Sequence, residues 1–434
     1  MPREATTRVT YSSDLEPELR AFDQDTDILK VIPELIVDYL DDDHLAADLW
    51  TIAATAFAVD RNLRRPALNS WRKGQEWHRT ISTTFPVRNP AWWAQRTADV
   101  EAPLNWLTAD TWHIEFTQGG PVPNQASLFS NAELHLEGAT ALFSGGLDSV
   151  CGIIADLEEE GDPLHAISVS TNNRMENQQK RVHDTLRNAD SRLRSWSPFR
   201  LQVRLSNRES TARSRGFVFL TAGVLSAIAR GTNSLRLYEN GPGALNLALS
   251  RGQVGAQAAK AVHPKTLRYM EHLARAVTGD SEFQIENRAF ERTKAEMVRR
   301  VPAHFDGALA ASVSCDTGFS HHEGGDAPAH CGRCSSCVLR RQALAAAGRN
   351  IPTPVRGVPR RKDDHPRLMA WQVARLRHVL RDGFDWVRMV REFPDIVCDP
   401  RSFLPERREV LLRVFTEYAS EWDLPAVIKE FAEE

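Results

Sequence analysis

The order of apolar and polar residues changes character along the chain. Between Leu45 and Val59 apolar side chains recur in an alanine-rich run, which predicts a long buried helix. The acidic segment Asp41 to His44 precedes it, and Asp43 or a neighbour is placed to cap its positive end. From about residue 80 the runs become short and extended, as at Thr80–Val87 and Thr111–Thr117. The second alternates apolar and polar positions, the mark of a half-buried strand. A turn-rich join follows at Gly119–Asn124. Beyond it strand patterns (Ala139–Phe143, His165–Ser170, Leu201–Leu205, Leu235–Tyr238) alternate with helical ones (Ser149–Leu157, 175–190, Phe217–Arg230). Such repeats predict an α/β fold: a Rossmann-like parallel sheet covered by helices, with ligands at the carboxyl ends of its strands.

Residues 351–367 hold four prolines and a charge cluster, which predicts a linker. The rest predicts helices built on Trp371, Leu376, Leu380, Trp386, Val390, Leu411, Val414 and Phe415. Three units are therefore expected: an N-terminal α+β domain over 1–135, a central α/β domain over 136–350, and a linker with a helical region over 351–434.

Composition narrows the class. The chain has 434 residues, too many for one compact core. Hydrophobic residues at 42% and charged residues at 26% exclude a disordered chain. No apolar run is long enough to span a bilayer, and the start does not read as a secretory signal, so a cytoplasmic protein is expected. A formal charge of −3 argues against a nucleic-acid coat protein, and no direct nucleic-acid contact is expected. Seven of the eleven tryptophans lie in the first unit, at Trp50, Trp71, Trp77, Trp92, Trp93, Trp106 and Trp112. They are either aromatic filler or a binding surface.

Four of the six cysteines, Cys315, Cys331, Cys334 and Cys337, crowd into 23 residues. In a reducing compartment such clustering points to metal rather than to disulfides. Four thiolates suit a closed structural Zn²⁺ knuckle. His321, His322 or His330 could replace one thiolate; an iron–sulfur cluster or free thiols are the other readings.

The most informative stretch is Ser144, Gly145, Gly146, Leu147, Asp148 and Ser149, between a strand and a helix. Glycines permit a tight turn, and their N–H groups with the helix N-terminus form an anion nest. Ser144 and Ser149 add hydroxyl donors, while Asp148 beside phosphates makes sense if it holds Mg²⁺ or orients the loop.

This string resembles the pyrophosphate loop of the ATP pyrophosphatase family and lacks the Gly-Lys-Ser/Thr of a kinase-type loop. With the cysteine cluster downstream, the pair resembles the 7-cyano-7-deazaguanine synthase (QueC) family over roughly residues 137–345. Two weaker echoes are the stretch from Arg215 to Gly223 and the Thr293, Lys294, Ala295, Glu296 segment. The departures are Thr171 to Arg174, Gly216, and the stretch Tyr238 to Asn246, where the family carries other residues. The enlarged layout resembles the QueC-like proteins of bacterial antiphage islands, of the QatC type.

The resemblance implies an ATP-dependent carbon–nitrogen ligase. ATP and Mg²⁺ would lie on Ser144, Gly145, Gly146, Leu147, Asp148 and Ser149, with Arg215 (or Arg213) and Lys294 neutralising developing charge. Glu239 and Asn240 would hold the substrate base. The substrate implied is 7-carboxy-7-deazaguanine; the acceptor is ammonia or an amine of a protein partner. A thiolation enzyme using Cys151, or a catalytically inactive nucleotide-binding module, are the rival readings.

Overall fold

The computed structural model describes residues 4–11, 18–21, 26–31, 44–65, 78–119, 137–204, 209, 211–249, 260–316, 330–355, 365–381, 385–397 and 405–431. Its first elements are β1 (Glu4–Tyr11), β2 (Glu18–Ala21), β3 (Thr26–Val31), α1 (His44–Asn62), β4 (Thr80–Val87), α2 (Pro90–Ala94), α3 (Thr97–Thr108) and β5 (Thr111–Gln118). The central series follows with β6 (Ala139–Leu142), α4 (Leu147–Glu159), β7 (Leu164–Ser170), α5 (Asn173–Ala189), β8 (Leu193–Arg204), α6 (Arg215–Ala229), β9 (Ser234–Leu237) and α7 (Gly241–Ala244). Then come α8 (Pro264–Thr278), β10 (Gln284–Asn287), α9 (Lys294–Arg299), α10 (Asp306–Ala311) and α11 (Ser335–Ala346). The C-terminal helices are α12 (His365–Leu380), α13 (Trp386–Glu392), α14 (Pro405–Glu421) and α15 (Pro425–Glu430).

The strands form one ten-stranded sheet in the order β10-β9-β6-β7-β8-β3-β2-β1-β4-β5. From β10 to β8 the pairs are parallel. β3, β2 and β1 then turn the direction antiparallel, and β4 and β5 continue parallel to β1. The α/β class with a helix-covered parallel sheet is thus observed. β7 is buried at every position, as expected of a strand covered on both faces. One face packs on α1, α6 and α8, and the other on α4, α5, α9 and α11.

The sequence places most central elements within a few residues and misses others. β10 carries a single apolar residue, Ile285, too few to show a period. β1 to β3 are likewise unpredicted, and the third central strand is longer than expected, starting at Leu193. Asp43, Trp71 and Trp77 lie outside the described residues, as does part of the expected linker. Trp50, Trp93 and Trp112 are core residues, while Trp92 and Trp106 are half-buried under Arg96, Lys260 and Lys265.

The strands of 1–135 and 136–350 share this sheet, and α1 shares a core with α6. A buried charge network adds to the join. Arg79 bridges Asp60 and Asp110, and Arg65 grips Asp110 with two nitrogens at 2.6 Å. Asp60 Oδ2 also accepts the Ser214 amide at 2.9 Å and its hydroxyl at 2.8 Å, at the start of α6. Among the described residues no helix is long and apolar enough to cross a membrane.

β6 is the point where strand order reverses: β7 and β8 lie to one side, β9 to the other. The crevice at such a point is where α/β sheets hold ligands. α4 approaches β9 closely, and a Cβ on Gly152 would sit 2.1 Å from Tyr238 Cγ. Tyr238 cannot swing away freely, because its hydroxyl donates to Asp156 Oδ2 at 2.7 Å. Gly152→Ala should therefore lower the urea midpoint by an amount equivalent to about 1–3 kcal/mol. Gly307→Ala in α10, whose added methyl meets only Thr185 Cγ2 at 3.9 Å, should hold or raise that midpoint.

Candidate active site and metal centre

The loop after β6 is shaped by its glycines and serines. Gly145 has φ +74°, a left-handed conformation that side chains disfavour. Gly146 then caps α4 in extended geometry. Ser144 Oγ lies 3.1 Å from Ser149 Oγ and accepts the Gly146 amide at 3.2 Å, while Ser149 Oγ donates to the Gly146 carbonyl at 3.0 Å. Two hydroxyls thus stand together at the N-terminus of a 13-residue helix, an arrangement suited to phosphate oxygens.

Asp148, in the first turn of α4, is only 7% exposed. Lys294, the first residue of α9, ion-pairs with its Oδ1, and Asn240 Nδ2 donates to its Oδ2 at 2.7 Å. Asn240 Nδ2 also reaches Glu239 Oε1 at 2.8 Å, and its own Oδ1 caps α7 by accepting the Gly243 amide at 3.0 Å. Asn287 at the end of β10 clamps the Glu239 backbone from both sides, at 2.9 and 2.8 Å.

Burial opposes the charge on Asp148. The Lys294 ammonium and hydrogen bonds from Glu239, Lys294 and Asn240 outweigh it and hold the carboxyl below its usual value. Burial, reinforced by the neighbouring Asp148 charge, pushes the Glu239 carboxyl well above the carboxylate range. The pair therefore splits into an ionised Asp148 and a neutral Glu239 able to donate a proton in a hydrogen bond. Lys294 is raised: burial works against its charge, but Asp148 and Glu239 outweigh that penalty.

An apolar cavity of 130 Å³ opens beside this cluster, walled by Phe143, Ile167, Val169, Phe219 and Val262, with Ser144, Ser149, Gln179 and Glu239 supplying polar atoms. Its lining suits a flat, largely apolar ring with a few polar groups at its edge. Arg215 is exposed at the start of α6, its guanidinium 5.6 Å from the Phe219 ring centroid. The structure thus brings together Ser144, Gly145, Gly146, Leu147, Asp148, Ser149, Glu239, Asn240 and Lys294. The Arg215 side chain stands apart from that cluster, with no hydrogen bond or ion pair to another described residue. A larger cavity of 960 Å³ lies along β10, away from this chemistry. Arg275, Arg288, Arg407 and Arg413 there are matched by Glu271, Glu286, Glu291 and Glu296.

Cys151 is enclosed in α4, and burial together with the Asp148 charge pushes its thiol far above the usual range. That environment disfavours the thiolate a thiolation enzyme needs.

The four clustered cysteines place their sulfurs within 4.8 Å of one another. Cys331–Cys337 and Cys315–Cys334 separations are 3.9 and 4.0 Å, close to the ~3.8 Å edge of a tetrahedron with Zn–S bonds of about 2.3 Å. The amides of Cys331, Cys334 and Asp316 point at sulfurs at 3.3, 3.3 and 3.5 Å, donors that stabilise thiolates. The donor set therefore fits zinc, which Cys315, Cys331, Cys334 and Cys337 could hold. His330 lies beside the cluster but accepts the Ser314 amide through Nε2 at 3.2 Å. His321 and His322 lie outside the described residues.

Two functional contacts had no sequence signal beyond proximity. Ser314, next to Cys315, accepts the Leu147 amide at 3.0 Å, and the Val313 amide donates to the Gly145 carbonyl at 3.1 Å. The cysteine knuckle is thereby strapped to the loop. Glu421 in α14 is 1% exposed and accepts from Thr293 Oγ1, one residue before Lys294. Burial pushes its carboxyl up to about 7 against those hydrogen bonds.

A family model described as "Queuosine biosynthesis protein QueC" matches residues 261–348, about a fifth of the chain. The matched segment holds Lys294, Ser314 and the four cysteines, whereas the loop at 144–149 and the Glu239–Asn240 pair precede it. The match supports the QueC-like family. No curated protein and no solved structure matches the chain.

Because the Glu239 carboxyl is raised in the fold, its contribution to stability is complete below about pH 4.5 and is lost as pH rises toward the folded-state value. Glu239→Gln keeps a neutral donor and removes that loss. The thermal midpoint of the variant should gain on the wild type as pH rises from about 5 until it passes the folded-state value, and parallel curves would show that the Glu239 carboxyl is not raised in the fold. A second expectation concerns the metal. Wild-type protein should carry zinc by elemental analysis, and Cys334→Ser should lose it. Hydrogen exchange at the Leu147 amide should accelerate in that variant, since Ser314 is released with the knuckle.

Proposed function

We propose that this chain is an ATP-dependent, AMP-forming ligase of the QueC-like class that activates the carboxylate of 7-carboxy-7-deazaguanine and couples it to an amine. The observation that carries this reading is the Ser-Gly-Gly-Leu-Asp-Ser loop at the strand-order reversal. Its Asp148 is held by Lys294, which lies in the segment that matches QueC.

In this reading the substrate carboxylate oxygen attacks the α-phosphorus of ATP, the bond to pyrophosphate breaks, and an acyl-adenylate results. An amine then attacks the carbonyl carbon, loses a proton, and expels AMP, a far better leaving group than hydroxide. The Gly145 amide and the hydroxyls of Ser144 and Ser149 bind phosphate oxygens, while the amides of Gly146 and Leu147, held by Ser144 and Ser314, shape the loop. Mg²⁺ would supply charge neutralisation to the phosphates when bound. Of the two roles open to Asp148, loop orientation is favoured, because both of its oxygens are engaged by Lys294 and Asn240. Arg215, exposed at the start of α6 beside Phe219 of the cavity wall, would swing in to meet the charge of the departing group. Neutral Glu239 donates to an acceptor on the substrate base, with Asn240 fixing its orientation.

For the acceptor we favour an amine on a protein partner, in an antiphage role of the QatC type. The chain outside 136–350 exceeds what a reaction with ammonia would need. An ammonia-dependent 7-cyano-7-deazaguanine synthase is the outcome that would replace this assignment.

The test is AMP release and product mass from pure protein with Mg-ATP and 7-carboxy-7-deazaguanine, with and without ammonium. Wild type should release AMP, and Asp148→Asn should lower the rate about 100-fold or more while retaining zinc. Asn is preferable to Ala there because it preserves shape and the hydrogen bonds to Asn240. It also frees Glu239 to ionise opposite Lys294. An amide or nitrile formed only with ammonium would identify a synthase, and no AMP under any condition would refute the ligase assignment.

A further inference from the structure

The C-terminal helices do not stand apart from the site. α14 sends Glu421 to the N-terminus of α9, where its Oε1 accepts from the Thr293 hydroxyl. That hydroxyl in turn accepts the Glu296 amide at 3.1 Å, and Glu296 Oε2 accepts the Thr293 amide at 2.7 Å, a closed capping box. Gln342 Nε2 donates to Glu421 Oε2 at 3.2 Å, and Arg299 lies 3.4 Å from Oε1. About two helical turns earlier in α14, Arg413 pairs with Glu296 at 2.6 Å and reaches the Glu291 carbonyl.

The second site loop is held by the same helices. The Gly241 amide donates to the Arg292 carbonyl at 2.9 Å, so the Glu239–Leu247 loop and the turn before α9 move together. Val414 packs against Gly241. Gln372 in α12 donates to the Leu247 carbonyl at 2.9 Å and is itself oriented by the Tyr418 hydroxyl at 2.8 Å. Ala244, Leu245 and Leu247 are buried in one cluster with Leu376, Leu411 and Phe415.

We infer that the C-terminal helical region completes the active site, with Glu421 a positioning residue that sets Lys294 against Asp148 while α14 and α12 clamp the loop carrying Glu239 and Asn240. This rests on the roles proposed above for Lys294 and Asn240. Glu421 touches no substrate. It fixes the cap from which Lys294 projects, and a displaced Lys294 would release Asp148 and with it the loop.

The test compares Glu421→Ala with Glu421→Gln in the full chain. The amide can still accept from Thr293, and Gln342, whose Oε1 has no partner, can reverse its own amide to accept the new N–H. Glu421→Ala should lower kcat about tenfold or more with KM for ATP changed less than about twofold, and Glu421→Gln should restore kcat to within about twofold. Independently of turnover, amide hydrogen exchange over 239–247 and 293–299 should accelerate in the alanine variant, not in the glutamine variant, with β4 and β5 unchanged. Arg413→Ala, an exposed change on the same helix, should produce the same exchange pattern more weakly if Glu421→Ala does not fold. Equal kcat in wild type and both Glu421 variants, or acceleration confined to α12–α15, would overturn the inference. A wild type that releases no AMP would remove the proposed reaction and leave the exchange pattern to decide the clamp.

Discussion

A carboxylate that stays ionised at Asp148 while shielded from water is the constraint on which the rest of the site depends. Removing such a charge from water costs several kcal/mol unless partners are placed with accuracy. The partners here are Lys294, 146 residues away in sequence, and Asn240, 92 residues away. Neither can reach Asp148 unless β9 lies beside β6 and α9 packs back across α4, which is what the sheet order and the shared core produce. The long-range contacts of the fold and the electrostatics of the site are therefore one requirement. Glu239 sharpens it: beside an ionised carboxylate it stays neutral, so one cluster offers an acceptor and an acid at adjacent positions.

A second constraint acts on the loop from the opposite side. The Val313 amide donates to the Gly145 carbonyl and the Ser314 hydroxyl accepts the Leu147 amide, and Cys315 follows immediately. A metal drawing the four sulfurs together would fix the course of the chain at Cys315, and rigidity there would pass over one or two bonds into the loop at 144–149. The loop is held between a charge cluster and the cysteine knuckle. A flexible glycine pair can thus keep a defined shape without side chains of its own.

The sequence displayed the parts whose chemistry is local. Ser144 to Ser149 and the four cysteines carry their meaning in spacing, and the largely apolar core of β7 and the amphipathic helices declare their type by pattern. The parts that stayed hidden take their meaning from what they meet. Ser314 is an ordinary serine until the Leu147 amide arrives. Glu421 reads as one more acid on a charged helix, and only the packing of α14 on Thr293 takes it out of water. β10 has one apolar side chain because it is an edge strand, and its outer Ile285 amide is satisfied by the Glu271 side chain at 3.2 Å. No pattern in four residues could announce that.

The two regions flanking the central unit act on the site in the same way. Asp60, from the N-terminal region, receives the amide and hydroxyl of Ser214, the residue before Arg215. Glu421, from the C-terminal region, receives the hydroxyl of Thr293, the residue before Lys294. Each of the two basic residues assigned to the reaction thus begins a helix whose preceding hydroxyl residue is held by a buried carboxylate from outside 136–350. A carboxylate so placed also favours the positive end of the helix it touches. It stabilises the helix start from which the cation projects, at the position where a small rotation would displace the charged group most. On this view the flanking regions are structural parts of the site itself. A surface for a partner protein must then be sought on faces that these contacts leave uncovered.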